Sequence, residues 1–266
     1  MAEFDRVAPV YDATRRPPTA AELDAVLEAL AGQTSVLEAG VGTGRFAVPL
    51  GDHGVQVTGI DISLEMMRRA REKGVPRLLR ADLHHLPFPD AAFDASLIIH
   101  VLQLIPEPLR ALKELARVSR NRVVAVFPDR PWGHSPRVQG FRGLYREIAA
   151  EKGYVVPERT RYWDNARKLL EQLPPSQLTV VSETVTPDPD RERAWRDARA
   201  FGGVPPIPEE VHQEIIAEIR RRRGDQPPER RERTRRLQVA WWESGRILAA
   251  PSEEVPRPKG AKRGTP

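Results

Sequence analysis

The sequence predicts an α/β fold: a doubly wound, mostly parallel sheet with an antiparallel edge strand and an inserted helical cap. Three observations predict it. Over residues 1–130, short apolar runs alternate with segments of helical period, the order that a parallel sheet with crossover helices requires. The first of those runs ends in VLEAGVGTGRF (36–46), where glycines mark a turn from strand into helix. After residue 129 the alternation stops, and helical patterns separate two β-like runs, SQLTVVSETV and LQVAWWESGRILAA.

Residues 1–19 form an arm. Thr19 and Glu22 then make a capping box for a helix with Leu23, Val26, Leu27 and Leu30 on one face. SVLEAG reads as a short buried strand, followed by a helix from Arg45 to about Gly51. VQVTGID is the second strand, and Ser63 caps the helix SLEMMRRAREKG. PRLLRAD is the third strand and FDASLII the fourth. PEPLRALKELARVSR puts Leu109, Leu112, Leu115 and Val118 on the inner side of a helix leading to the fifth strand, NRVVAVFPD. Five strands with helical crossovers make at least half of a Rossmann-like sheet. Residues 135–152 and 162–173 carry helical patterns. If SQLTVVSETV and LQVAWWESGRILAA pair as an antiparallel edge, residues 190–223 are a helical excursion between them. PSEEVPRPKGAKRGTP reads as a flexible tail, so the chain divides into the arm, one domain over 20–250, and the tail 251–266.

With 266 residues and 40% hydrophobic content, the chain can build a substantial core. It has no apolar run long enough to span a membrane and no signal-peptide pattern at its start, which reads as a soluble, cytoplasmic protein. The absence of cysteine excludes disulfides, thiolate metal sites and a cysteine nucleophile, and no metal site is expected. The net charge of +5 comes from the second half, because residues 1–130 hold 16 basic against 17 acidic side chains. Within that half, the run from Ile219 to Arg236 has nine arginines and three acids. With Trp241 and Trp242 beside it, this run allows a nucleic-acid track as one reading. Acids interleave it, however, and two adjacent strand tryptophans place one ring on each face, so one of them belongs to the core.

The glycines narrow the ligand. A strand that ends in glycines and enters a helix lets backbone approach a ligand closely, with helix N–H groups facing it. A dinucleotide fingerprint needs a small residue where Arg45 stands, and a phosphate-binding loop needs a Gly-Lys-Ser/Thr ending that is missing. Glu38, just ahead of Gly40, suits an ammonium group. Asp61, at the end of the second strand and 21 residues after Gly40, can accept both hydroxyls of a ribose. Asp82, after the third strand, can accept an adenine amine, with Ile62 and Leu83 against the base. An amine partner, a ribose partner and an adenine partner describe S-adenosylmethionine better than NAD.

At this point the residues carry a family resemblance. VLEAGVGTGRFAVPL, VTGIDISLEMMRRA and ADLHHLPFPDAAFDASLIIHVLQLI, in that order, resemble the methyltransferase type 11 group of class I S-adenosylmethionine-dependent methyltransferases. FDRVAPVYDATRR is similar to the arm preceding the fold in that group, and the resemblance covers about residues 4–130. It implies that Glu38, Gly40, Gly42 and Gly44 surround the methionine part of the cofactor, Asp61 and Ile62 its ribose and adenine, and Asp82 and Leu83 its adenine. It also implies Tyr11 and Arg15 near the cofactor carboxylate, with Ile98 and Ile99 flanking the methionyl segment. The chain departs from the group at Leu102-Gln103-Leu104, where relatives carry L-H-H or L-H-W. That puts in question a polar acceptor contact there.

Several of these residues also have structural readings. Asp61 and Asp82 could cap the segments after them through Asx turns. Met66 has core spacing as well as a place beside the cofactor, and Tyr11 could be packing. His100, just after the fourth strand, is the candidate catalytic base, against the alternative of a structural histidine. His84, His85, Asp129 and His134 are further candidates. No Pro-Pro-aromatic motif follows the fourth strand, which argues against methylation of adenine or glutamine amino groups. The expected activity is methyl transfer to a small-molecule acceptor by in-line displacement, with the helices of 135–173 and 190–223 covering the pocket. The alternatives are an RNA methyltransferase and a non-catalytic S-adenosylmethionine-binding module.

Overall fold

The computed structural model describes residues 2–128, 136–156, 163–186, 207–223 and 233–251. Among them, seven strands form one sheet in the order β3-β2-β1-β4-β5-β7-β6. These are β1 Ser35–Ala39, β2 Gln56–Asp61, β3 Arg77–Arg80, β4 Phe93–Ile99, β5 Ser119–Pro128, β6 Gln177–Val185 and β7 Arg233–Glu243. The first five are parallel. β7 runs antiparallel between β5 and β6, so the doubly wound sheet has the antiparallel edge its sequence pattern calls for. Strand order reverses between β1 and β4, and at such a switch point the carboxyl ends of a parallel sheet open a crevice.

Three helical pieces make up the arm: α1 Ala2–Val7, a 3₁₀ turn Ala8–Val10 and α2 Tyr11–Thr14. Next come α3 Ala20–Ala29, α4 Ala47–Asp52, α5 Leu64–Glu72 and α6 Pro108–Val118. α3 starts at the expected capping box, with the Thr19 hydroxyl accepting from Glu22 N and the Glu22 carboxylate accepting from Thr19 N. Ser63 caps α5 by accepting from Met66 N at 3.2 Å. Beyond β5 lie α7 Pro136–Glu151, α8 Trp163–Gln172, α9 Glu209–Arg223 and α10 Ser244–Leu248. Asp129, His134, the segment 187–206, most of the arginine run and the tail from 252 lie outside the described residues.

Both faces of the sheet are covered, which is why its central strands read as continuous apolar runs rather than alternating ones. One face packs Val36, Leu97, Ile99, Val124 and Val126 against Ala25, Val26 and Ala29 of α3, with Phe46, Leu50 and Met67. The other packs Leu37, Ile98, Val123, Ala125 and Phe127 against Leu109, Leu112 and Leu115 of α6, with Leu169 and Leu173. Trp242 is fully buried on this second face and donates its indole N–H to Leu173 O at 2.9 Å. Trp241 points to the opposite face, with the Arg122 guanidinium 4.5 Å from its ring centroid. A separate cluster holds Phe141, Tyr145 and Ile148 of α7 against Ile215, Ile216 and Ile219 of α9, with Tyr145 OH and His212 Nδ1 hydrogen-bonded at 2.8 Å.

LQVAWWESGRILAA departs from its reading as one strand. β7 begins four residues earlier, at Arg233, and ends at Glu243, and SGRIL is a helix whose Ile247 is buried beside α6. The early start is possible because Arg235 meets Glu22 at 3.0 Å and Glu183 at 3.9 Å, partners from two distant segments. Such charges look like a polar loop until those partners are present.

Candidate active site

The site begins where β1 leaves the sheet. Gly40 N and Val41 N both donate to Ile60 O on β2, at 2.8 and 2.9 Å, which bends the chain across the crevice. Gly40 has φ +71, and a Cβ there would sit 2.5 Å from Val101 Cγ2, so both conformation and space require glycine. Gly42 has φ +55 and faces open space. A cavity of about 290 Å³ lies beside this turn, at the carboxyl ends of the parallel strands.

Ten of the predicted residues line it: Tyr11, Glu38, Gly40, Gly42, Asp61, Ile62, Met66, Asp82, Leu83 and Ile99. His100 lines it too. Gly44 does not, because it packs towards Val75 and Ala70 below the turn. Nor does Ile98, which belongs to the core of the opposite sheet face; successive strand residues alternate, and Ile99 takes the cavity side. Arg15 stands behind the cavity wall, its guanidinium 5.4 Å from the Tyr11 ring centroid.

Glu38 is 3% exposed, and Oε2 has no hydrogen-bond partner among the described residues. Burial pushes its carboxyl up to about 8, with nearby Arg45 pulling it down and Asp61 pushing it further up. A buried carboxylate with an orphaned oxygen is costly, and an ammonium group seated against it would remove that cost. The glycine cradle and the orphaned Glu38 oxygen thus fit the amino-acid end of S-adenosylmethionine.

Asp61 accepts from Gly42 N through Oδ2 and from Ser63 N through Oδ1, each at 2.9 Å. Burial raises its carboxyl, opposed by those backbone N–H groups. The Ile62 N–H is a third backbone donor to this carboxylate, which leaves it acceptor capacity for about one ligand hydroxyl. Asp82 is more exposed, and Oδ1 accepts from His84 N at 2.9 Å, a contact that lowers its carboxyl. Both aspartates therefore make the Asx turns that were their structural reading, and both also line the cavity.

The arm closes one side. Phe4 and Tyr11 line the cavity, Asp12 accepts from Thr43 Oγ1 at 2.7 Å, and Asp5 accepts from Ser63 Oγ at 2.5 Å. Arg45 Nη1 donates to Arg16 O at 3.1 Å, joining the glycine turn to the arm. His100, half-buried with φ +56, is lowered to about 3 by burial and then by Arg45, Arg15 and Arg16. Leu102 and Gln103 of the 3₁₀ turn Leu102–Leu104 are buried, while Leu104 and Ile105 line the cavity.

Phe4, Thr43, Arg45, Leu104 and Ile105 were not singled out as site residues from sequence. Arg45 had a signal in its place beside the glycines; Phe4 and Leu104 reach the site only through the folded arm and the turn after β4. Among the described residues, the lining comes from positions 4–105. No group of side chains suited to hold a metal ion occurs among the described residues, and none of their helices is long and apolar enough to cross a membrane.

Comparisons with known proteins agree with this geometry. A family profile described as a methyltransferase domain matches residues 37–127. Phosphatidylethanolamine N-methyltransferase of Cereibacter sphaeroides is 36% identical over 156 residues, covering 56% of this chain and 72% of that one. Demethylmenaquinone methyltransferase of Renibacterium salmoninarum is 34% identical over 208 residues, covering 73% of this chain and 80% of that one. Among solved structures, an S-adenosylmethionine-dependent methyltransferase of Thermotoga maritima superposes with a TM-score of 0.53 at 21% identity, covering 91% of this chain and 99% of that one, a likeness of fold. The chain belongs to the type 11 group of the class I methyltransferases, a family of small-molecule methyltransferases whose cofactor is S-adenosylmethionine.

Proposed function

We propose that this protein methylates a small-molecule acceptor by in-line displacement, with the cofactor held along the carboxyl ends of β1, β2 and β3. Glu38 takes the ammonium, Gly40 and Gly42 pass close to the methionine part, Asp61 holds the ribose, and Asp82, Leu83 and Ile62 hold the adenine. Tyr11 lies over the amino-acid end, with Arg15 supplying positive charge for the carboxylate from behind it. Met66 and Ile99 complete the apolar walls. The observation that carries this reading is the buried Glu38 carboxyl, lacking a partner for Oε2 among the described residues, in a cavity that also collects Asp61 and Asp82.

When bound, the cofactor supplies an electrophilic methyl, so the chain has chiefly to align the acceptor and exclude water. Leu104 and Ile105, just past β4, make the acceptor end apolar. The base role expected of His100 is not supported by its surroundings. Burial, followed by Arg45, Arg15 and Arg16, holds its imidazole well below the ordinary histidine range, which makes it a weak base for an oxygen acceptor. We assign it instead as a neutral group that orients the acceptor.

An RNA substrate finds less support. Arg222 is paired with Glu147, Glu151 and Glu218, Arg221 with Glu218, and Trp242 is core. The test is calorimetric titration with S-adenosylmethionine, S-adenosylhomocysteine and NAD, on wild type and Asp61→Ala, followed by cofactor turnover with metabolite extracts. The two adenosyl-sulfur ligands should bind and Asp61→Ala should weaken both; binding of NAD alone would sink the reading. Tight retention of bulk tRNA at physiological salt would favour the RNA alternative, and cofactor binding without turnover on any extract the non-catalytic one.

A further inference from the structure

We propose that the protein takes its acceptor as an anion, an apolar oxygen or carbon acid in its ionised form rather than an amine, and that Arg45 is the cation that selects it. The inference rests on the reading of the cavity as an S-adenosylmethionine site and adds the substrate class to it.

Among the described residues, the carboxylates that line the cavity are Glu38, Asp61 and Asp82, and the cofactor takes all of them. The end past β4, where His100, Leu104 and Ile105 stand, is left with no acid among those residues to receive an ammonium group. Arg45 lines the same cavity. Its Nη1 donates to Arg16 O at 3.1 Å and its guanidinium lies 5.0 Å from the Phe46 ring centroid, but it makes no ion pair among the described residues. Arg16 is balanced where Arg45 is not, because Arg16 and Arg235 face Glu22 and Glu183, two cations against two acids. Arg15 is matched to the cofactor carboxylate and Glu38 to its ammonium. Arg45 therefore stays an uncompensated charge on the wall when the cofactor is bound. Its field reaches the acceptor end, since the His100 imidazole is held low by burial and then by Arg45, ahead of Arg15 and Arg16.

A cation at that place acts differently on two kinds of acceptor. An amine must shed a proton before it can attack, and His100 is too weak a base to take it. Held as an ammonium, it would meet Arg45 and the sulfonium, like charges in a site poor in water. An oxygen or carbon acid gives its proton to solvent, and the anion that remains is attracted by Arg45. Its own electron pair then makes the bond to the methyl carbon while the S–CH₃ pair returns to sulfur, so the two charges cancel and no proton moves in that step. The weakness of His100 as a base is no obstacle to this route. A neutral imidazole keeps one N–H, which can donate to the anion and orient it. Leu104 and Ile105 fit an acceptor whose remainder is apolar.

The experiment is ligand-detected NMR titration, at neutral pH, of three naphthalenes that carry a carboxylate, a hydroxymethyl or an aminomethyl group at the same position. They are titrated into the S-adenosylhomocysteine complex of wild type, Arg45→Met and Arg45→Lys, with thermal unfolding as the check on folding. That complex lacks the sulfonium, so a preference among the probes is the protein's own. Wild type should bind the carboxylate about tenfold or more tighter than the ammonium, with the alcohol between. Arg45→Met should bring the ratio close to one and Arg45→Lys should restore most of it, which an arginine that merely packs against Phe46 and the arm would not do. The wild-type ratio remains a test even where Arg45→Met does not fold. Equal affinities, a preference for the ammonium, no binding of the carboxylate, or a ratio unchanged in Arg45→Met overturns the inference while leaving the cofactor site standing. Failure of S-adenosylhomocysteine itself to bind wild type overturns the functional reading as well.

Discussion

Arg16 Nη2 reaches Glu183 Oε1 at 2.6 Å across 167 positions of sequence, so the arm over the cofactor cavity is tied to the far edge of the sheet. The pair is part of a larger cluster. Glu22 Oε1 takes both Arg16 and Arg235 at 3.0 Å, and the Arg16 carbonyl accepts from Arg45 in the glycine turn. Glu22 is 2% exposed, and burial raises its carboxyl, so it depends on both cations. Arg16→Ala should cost about 1–3 kcal/mol, because it removes charge-assisted hydrogen bonds from a half-buried cluster. For a chain of this length that is roughly 2–5 °C of melting temperature. Cofactor affinity should fall with it, since the arm carries Phe4 and Tyr11. A double-mutant cycle with Glu183→Ala measures the coupling, and additivity would show that the two residues act independently.

Glu38 makes a prediction with a defined sign. Its folded-state carboxyl is raised to about 8 from an ordinary value of 4.5, so between those values the folded protein holds a proton that the unfolded chain does not. Stability should therefore fall as pH rises from about 5 to 8. Glu38→Gln should remove that part of the slope and be the more stable form at pH 8–9. Cofactor affinity should run the other way. An ammonium needs the ionised carboxylate, so affinity should rise by up to about tenfold per unit on approaching pH 8 and fall again above it, where the ligand's α-ammonium gives up its own proton. Proton release measured calorimetrically in two buffers, together with a thermal-unfolding pH series, checks both halves. A pH-independent affinity would remove Glu38 from the ammonium role.

The glycine turn separates two effects of a single methyl. Gly40→Ala meets both a left-handed φ and a contact of 2.5 Å with Val101, and should cost about 1–3 kcal/mol of stability besides abolishing cofactor binding. Gly42→Ala meets no atom within 4 Å and carries only the strain of its φ of +55. Its stability loss should be smaller, while its affinity loss is still large because the methyl enters ligand space. Thermal unfolding and calorimetric titration of the two variants give both numbers, and equal stability losses would contradict this account.

Local signals made much of this fold legible. The capping box at Thr19 and Glu22, the Ser63 cap, the glycines and the acids ending β2 and β3 are written in adjacent residues, and they located the cavity. What was not legible depends on partners far along the chain. Ile98 and Ile99 are equivalent in an apolar run covered on both faces, so sequence could not say which one faces the ligand; the register with β1 and β5 decides it. The start of β7 in an arginine-rich stretch required Glu22 and Glu183. Arg45 at the cavity wall was visible as an exception to a dinucleotide turn, but its tie to the Arg16 carbonyl was not.

The two tryptophans offer a check on the sheet that is independent of any ligand. Trp242 is fully buried with its indole N–H bonded to Leu173 O, and Trp242→Ala should cost about 3–5 kcal/mol. Trp241, only partly buried, should cost less. Neither substitution should change RNA retention if the ring pair is core and edge packing, and a selective loss of retention in Trp241→Ala would reopen the nucleic-acid reading.

His100 yields the most direct test of mechanism. Burial, and then three arginines, hold the imidazole neutral, with a basicity near 3, and a cationic sulfonium beside it would oppose protonation further. A group in that state is too weak a base to take a proton from an ordinary acceptor, but it can still hold one in place by a hydrogen bond. His100→Asn, which retains a donor and an acceptor and tolerates the φ of +56 better than most residues, should therefore keep activity within about tenfold and leave the pH–rate profile unmoved. His100→Ala should raise KM for the acceptor more than it lowers kcat, because what it loses is orientation of the bound acceptor. A fall in kcat of about a hundredfold or more in His100→Asn, with loss of the acid limb of the pH profile, would restore the imidazole as the base and would require that acceptor binding offset its burial as well as the nearby arginines.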